Sequence, residues 1–280
     1  MSVACLNPLP MKNTLDKCFE GLLRAIERVL RWCFPHAAIM LLPAGRYPEL
    51  RDSRTEPLLY RAIIAHMYIR GEGIEIGGLH QPLHLPAWAK VKYVDRMTVE
   101  DLRRHYPEFT ALPLVPVDII DDGQTLGHVA DASQDFVIAN SILEHFPNPL
   151  LCIENMLRVL KAGGMLYMAL PDKRFIFDRK RETTSYAHLL ADYRAGTPDD
   201  EPHFREWVKV FFPNPDRAVE EAKVRELRET GYSIHYHAWT QAEIFDLIAG
   251  LQRDLGLHFH VKLVYSCNDE ESVVVLQKQG

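Results

Sequence analysis

The stretch Gly73-Ile-Glu-Ile-Gly-Gly-Leu79, followed by Tyr93-Val-Asp95, constrains the fold more than any other part of this chain. Each is a short apolar run; the first opens into a glycine turn and the second ends on a carboxylate. Runs of this kind predict two adjacent parallel strands. In a nucleotide-binding α/β sheet the glycine turn lets backbone N–H groups approach a ligand. An acidic residue about twenty positions further on then accepts hydrogen bonds from ribose hydroxyls. Asp95 lies twenty positions after Glu75. Together they predict a site for an adenosine-containing cofactor.

Further apolar runs continue the pattern. Ile74–Ile76, Val91–Val94, Leu114–Val117, Phe136–Ala139 and Met165–Leu170 are separated by helical or turn-rich segments, as in a parallel sheet buried on both faces. A helix is expected over Pro149–Leu160, with Lys161-Ala-Gly-Gly164 as its stop and turn. The pattern lapses over residues 171–240, which read as an insertion with helices near Ser185–Arg194 and Asp216–Glu229. A capped helix over Thr240–Asp254 follows. The runs His258–Tyr265 and Glu271–Gln277 are joined by so short a turn that they must form an antiparallel hairpin.

Upstream of the sheet, residues 1–70 read as an N-terminal helical extension and residues 71–280 as the main domain. Residues 14–34 carry an amphipathic helical pattern that Pro35 ends, and such a face also suits peripheral membrane contact. A second helix around Glu56–Ile69 would either cap the site or pack on the sheet.

A formal net charge of −6 argues against a nucleic-acid surface. The five cysteines are scattered with no CxxC pair, which suits a reducing compartment. No secretory signal is visible, and Val29–Pro43 is too short and broken to span a bilayer. A cytoplasmic protein is the expectation.

The order of these elements resembles the class I S-adenosylmethionine-dependent methyltransferases, whose seven-stranded sheet ends in such a hairpin with its last strand antiparallel. The resemblance runs over roughly residues 70–175 and 240–280. It implies an α/β, Rossmann-like fold and S-adenosylmethionine as cofactor. Glu75-Ile-Gly77-Gly78 looks like the family's glycine motif, with Leu79 and His80 near its later glycines. Asp95 falls where the family places the ribose carboxylate. Asp118-Ile119 falls where a carboxylate meets the adenine amine, with Asp121 and Asp122 as competitors. Asp131–Asn140, Leu143-Glu144-His145 and Leu160–Met165 continue the set. A subset of the family encoded beside glycosyltransferases shares the Gly-Gly-Leu-His turn, Pro-Asp-Lys-Arg and His-x-His-x-Trp strings, which implies O-methylation of a small-molecule or saccharide acceptor.

Residues Glu75, Gly77, Gly78, Leu79, His80, Asp95, Asp118, Ile119 and Asn140 are therefore the cofactor-binding candidates, and His145, Asp172, His235 and His237 the catalytic ones. His145 would serve either as general base or as a loop and pocket residue. His235, His237 and Trp239 would share one face of an extended segment, lining an acceptor pocket with Arg205-Glu-Trp207, packing, or ligating a metal with His203 or a carboxylate. No metal is expected from the pair alone. Two other readings stay open: a non-catalytic binding protein on the same fold, and a nicotinamide-dependent oxidoreductase. The sequence does not specify an oligomeric state.

Overall fold

The computed structural model describes residues 56–196, 200–267 and 270–280; the amphipathic pattern at 14–34 lies outside them. Helix α1 (Glu56–Tyr68) leads into strand β1 (Gly71–Ile76), and β2 (Ala89–Asp95), helix α2 (Val99–His105), β3 (Ile119–Ile120) and β4 (Gln134–Asn140) follow. Helix α3 (Pro149–Val159) and β5 (Leu160–Pro171) complete the parallel part. Helices α4 (Tyr186–Ala195), α5 (Glu201–Phe211) and α6 (Arg217–Glu229) make up the insertion. Helix α7 (Gln241–Leu255) and strands β6 (Phe259–Cys267) and β7 (Glu271–Lys278) close the chain.

The seven strands lie in the order β3-β2-β1-β4-β5-β7-β6. Strands β1 to β5 run parallel, and β7 is antiparallel to both β5 and β6. The sheet is buried on both faces, so its central strands read as continuous apolar runs. Against one face pack Leu150, Ile153 and Met156 of α3 with Ile244, Leu247 and Leu251 of α7. Against the other pack Ile64, Ala65 and Ile69, meeting Phe136, Ile138, Tyr167 and Val275. Helix α1 is thus part of the sheet's covering layer.

Local chemistry sets the boundaries. Asn148 caps α3 through its side chain, which accepts the Leu151 N–H, and Pro149 at the first turn has no N–H to orphan. Thr240 and Glu243 form a capping box at the start of α7, and Gly256 ends it in the left-handed conformation. Helix α5 was not expected from the pattern; it buries Phe204, Trp207 and Val208 against Val224, Leu227 and Ile234 in a small core of the insertion.

Two expectations need correction. The third strand is Ile119–Ile120, not Leu114–Val117. Pro116 has no N–H to give to a ladder, and pairing with β2 begins only at Val94↔Ile119. Lys161-Ala-Gly-Gly164 is no helix stop. Helix α3 ends directly on Leu160, and the glycines form an irregularity inside β5, where Gln134↔Leu160 is followed by Phe136↔Met165.

Candidate active site

The carboxyl ends of β1, β2 and β4, together with the insertion, enclose a cavity of about 690 Å³. That is within the usual range for a small-molecule or cofactor site. Its core-domain wall holds Gly77, Leu79, Asp95, Arg96, Asp122, Gly123, Ser141, Ile142 and Phe146. Its insertion wall holds Phe177, Trp207, Tyr232, Ser233, His235 and Tyr236.

The glycine turn is built as a close-approach surface. Gly77 has φ +65°, and a Cβ there would lie 2.9 Å from Ile142. Leu79 also adopts the left-handed conformation, φ 44°. Gly78 packs under Tyr93 instead of facing the cavity. Glu75 is buried beneath the turn, where both its oxygens accept the Leu83 N–H at 2.9 and 3.2 Å and the Asn140 amide donates to Oε1 at 3.4 Å. Glu75 and Asn140 therefore hold the turn from below and do not line the cavity. His80 lies against Phe109, with ring centroids 5.9 Å apart, outside the lining.

Burial pushes the Glu75 carboxyl up to about 7. An acid whose folded pKa is raised adds stability below its unfolded pKa, near 4.5, and loses it as pH rises through about 7. Glu75→Gln keeps the acceptor and removes the titration. Its stability relative to the parent chain should rise by about 3 kcal/mol across that window. Urea unfolding of both chains at either end of the window checks this. A pH-independent difference would refute it.

Asp95 ends β2 in the cavity wall; its carboxylate accepts the Arg96 and Met97 N–H groups, and burial raises its pKa. Asp118 does not reach the cavity. Because β3 starts late, its carboxylate accepts the Tyr93 N–H at 2.8 Å, at the entry to the pairing. Ile119 lies within β3, also outside the lining. The carboxylates after β3 are Asp121, committed to the Asp122 and His128 N–H groups, and Asp122, which lines the cavity. Gly123 beside it has no room for a side chain: a Cβ would lie 2.7 Å from Ile76 and 2.9 Å from Phe146.

Of the catalytic candidates, the structure brings His145 and His235 together, with ring centroids 4.5 Å apart and planes at 88°. His145 Nδ1 lies 3.0 Å from the Ile234 carbonyl, to which it donates, and burial lowers its pKa to about 3, so the ring is neutral. Asp172 is elsewhere. It is buried in a bidentate pair with Arg174 and accepts the Gln241 N–H at the start of α7. His237 also lies outside the lining, its Nε2 donating to the Pro147 carbonyl at 3.2 Å. Arg205 is engaged at the surface with Glu201 and Glu221.

Sequence reasoning missed Asp178. Its Oδ2 lies 2.5 Å from His235 Nδ1, which leaves Nε2 as the ring nitrogen free for a ligand. Arg181 locks the arrangement. It donates to Asp178 Oδ1 at 3.1 Å, to the His235 carbonyl at 2.7 Å and to Glu206, and stacks over Trp207. Arg181 is 5% exposed, so this fully bonded guanidinium is a fixed part of the wall. Arg96 joins the two walls, donating to Tyr106 at 2.5 Å and to the Gly231 carbonyl at 3.1 Å.

Residues 82–168 match the family model described as a methyltransferase domain. That match, the 3-2-1-4-5-7-6 strand order, and the glycine turn and Asp95 in one cavity together support a class I S-adenosylmethionine-dependent methyltransferase. Its cofactor is S-adenosylmethionine. The lining fits that group: Asp95 and Asp122 offer carboxylates, and Leu79, Ile142 and Phe146 offer apolar contact.

Among solved structures, a Pyrococcus horikoshii OT3 protein is 15% identical, with 84% of this chain and 98% of that chain covered at a TM-score of 0.44. A S-adenosylmethionine-dependent methyltransferase from Methanosarcina mazei is 19% identical, with 77% and 97% covered and a TM-score of 0.40. The N-methyltransferase NodS from Bradyrhizobium japonicum WM9, in complex with S-adenosyl-L-homocysteine, is 12% identical, with 83% and 91% covered and a TM-score of 0.42. No curated protein matches the chain. Among the described residues no helix is long and apolar enough to cross a membrane.

Proposed function

We propose that the protein transfers a methyl group from S-adenosylmethionine to a hydroxyl of a small polar acceptor, a saccharide being the class its walls suit best. The observation that carries this reading is the Asp178–His235 pair, 2.5 Å apart, in the lining that also holds Gly77 and Asp95. A hydroxyl must lose its proton as its oxygen is methylated, so such an acceptor needs a base, whereas many other acceptors do not. With Nδ1–H held by the Asp178 carboxylate, His235 presents a lone pair at Nε2 and, once protonated, keeps a paired charge.

The bound cofactor supplies an electrophilic methyl on a sulfonium. The chain supplies the rest. Asp95 fixes ribose hydroxyls and the Gly77 turn admits backbone close to the ligand. Phe177, Trp207 and Tyr232 give the acceptor flat apolar faces and exclude water, while Arg96, Glu108 and Tyr236 provide polar contacts for hydroxyls. His235 Nε2 takes the hydroxyl proton and later returns it to solvent. His145, neutral beside it, adds no competing positive charge. Gly78, His80, Asp118, Ile119, Asp172 and His237 take no part in this reading.

Calorimetric titration with S-adenosylmethionine and S-adenosylhomocysteine, with NAD as control, followed by a methyl-transfer screen over saccharides and small alcohols, tests it. Asp95→Ala should weaken cofactor binding by about 1–3 kcal/mol, the cost of leaving buried hydroxyls without their partner. Unchanged affinity would remove Asp95 from the ribose. Binding without transfer to any hydroxyl, with transfer to an amine or carbon acceptor, would overturn the O-methyl reading. Binding without any transfer would favour the non-catalytic alternative.

A further inference from the structure

A second constellation lies behind the insertion wall. Helix α4 carries His188 and Asp192 four residues apart on one face, α5 contributes His203, and the segment leading to α7 contributes His237. One ligand atom from each histidine lies within 4.8 Å of the others. Asp192 Oδ2 is 3.1 Å from His188 Nε2 and 3.8 Å from His203 Nε2.

Hydrogen bonds fix which nitrogen carries the lone pair in two of these rings. His203 Nδ1 donates to the Tyr236 carbonyl at 3.1 Å, which leaves Nε2 as the lone-pair nitrogen. His237 Nε2 donates to the Pro147 carbonyl, which leaves Nδ1, and this atom is buried with no hydrogen-bond partner. The residue is 1% exposed. Asp192 Oδ2 is likewise buried and accepts no hydrogen bond, although His188 Nε2 is so near. Neighbouring polar atoms that do not point at each other are what ligands to a common centre look like. Burial lowers the pKa of His203 and His237, so both rings offer neutral imidazole.

We infer that His188, Asp192, His203 and His237 form a zinc site that is separate from the methyl-transfer cavity. A tetrahedron with metal–ligand bonds of about 2.0–2.1 Å has edges of ~3.3 Å. The 3.1 and 3.8 Å separations already bracket that edge. Three imidazoles and one carboxylate suit zinc better than magnesium or calcium, which prefer oxygen ligands. His203 and His237 each have the carbonyl partner on the far nitrogen that orients a metal ligand. Four protein ligands fill a structural site, and exposed His188 marks the side from which the ion enters. The ion ties α4, α5 and the 235–239 segment together, and so steadies His235 two residues away. The sequence offered a metal only as one of three readings, with both histidines of the His235-x-His237 pair as ligands; the pair faces two different places, and the other ligands come from two helices of the insertion.

The test uses a tag-free full chain, stripped with chelator and reloaded with zinc, and reads metal by mass spectrometry and unfolding temperature. The wild-type chain should retain about one zinc and gain about 5 °C on reloading. Cobalt(II) in its place should give the visible bands of tetrahedral coordination. His237→Ala and Asp192→Asn should each lower zinc affinity by at least roughly 100-fold. Asp192→Asn, nearer the surface, guards against a misfolded His237→Ala. His235→Ala should keep the metal. Failure to retain zinc with no thermal shift would overturn the site. So would zinc lost in His235→Ala but kept in the other two, which would move the ion to the Glu144, His145 and His235 group.

Discussion

His235→Ala should lower turnover by roughly 10²–10⁴-fold, the range for losing a positioned general base, while cofactor affinity stays within about twofold. The split follows from where the ring stands. His235 lies in the insertion wall, bonded to Asp178 through one nitrogen, and the cofactor candidates come from the carboxyl ends of β1 to β3. Asp178→Asn should act through the same atom. The amide can donate to Nδ1, which would force the proton onto Nε2 and remove the lone pair, so turnover should fall with the acceptor KM nearly unchanged. His145→Ala should cost less, because its Nδ1 proton is committed to Ile234 and its role is to pack the base. Single-turnover methyl transfer alongside calorimetry checks all three. Equal loss of cofactor binding in His235→Ala would place that ring against the cofactor and not the acceptor.

Arg61→Ala should destabilise the fold by about 3–5 kcal/mol, the usual cost of stranding a buried charge. Arg61 projects from α1 and donates through Nε to Glu271 Oε1 at 2.7 Å and through Nη2 to Oε2, a bidentate pair almost out of solvent. Glu271 opens β7 and is 6% exposed, so it has no water to replace the guanidinium. The Arg61 carbonyl also accepts the Tyr167 hydroxyl of β5 at 3.1 Å. The pair thus clamps α1 to two strands. Removing both charges, as Arg61→Met with Glu271→Leu, should recover most of the loss, since the single variant mainly pays for the orphaned carboxylate. Denaturant unfolding of the two variants decides it; additive losses would mean the pair itself is the stabiliser.

These residues show what the sequence could reveal. Gly77, Leu79 and Asp95 were legible because strand, turn and strand-end carboxylate are local features with fixed spacing. The terminal hairpin was legible because its turn is too short to allow any other pairing. Asp118 misled because Pro116 delays pairing, and a shift of a few residues moves the carboxylate edge to Asp122. Asp178 left no signal, because its meaning depends on a ring 57 residues later that only the folded insertion delivers. Trp207 and Phe177 likewise join the cavity through the packing of α5, a helix the pattern did not announce. His235 and His237 were visible as a pair, but adjacent alternate positions in an irregular segment do not share a face as they would in a strand.

The loop after β4 and the segment before α7 are stitched together: the Tyr236 N–H donates to the Glu144 carbonyl at 2.7 Å, His145 donates to the Ile234 carbonyl and His237 to the Pro147 carbonyl. On the proposed function, one segment borders the cofactor and the other the acceptor. If occupancy on one side shifts this stitched pair, the other side would feel it as a coupling free energy, equal in both directions whichever ligand arrives first. Stiffening the acceptor segment lowers the ordering cost left for the second ligand. Demethylated cofactor would then be held more tightly while methylated product remains, and the two products would leave as dependent events.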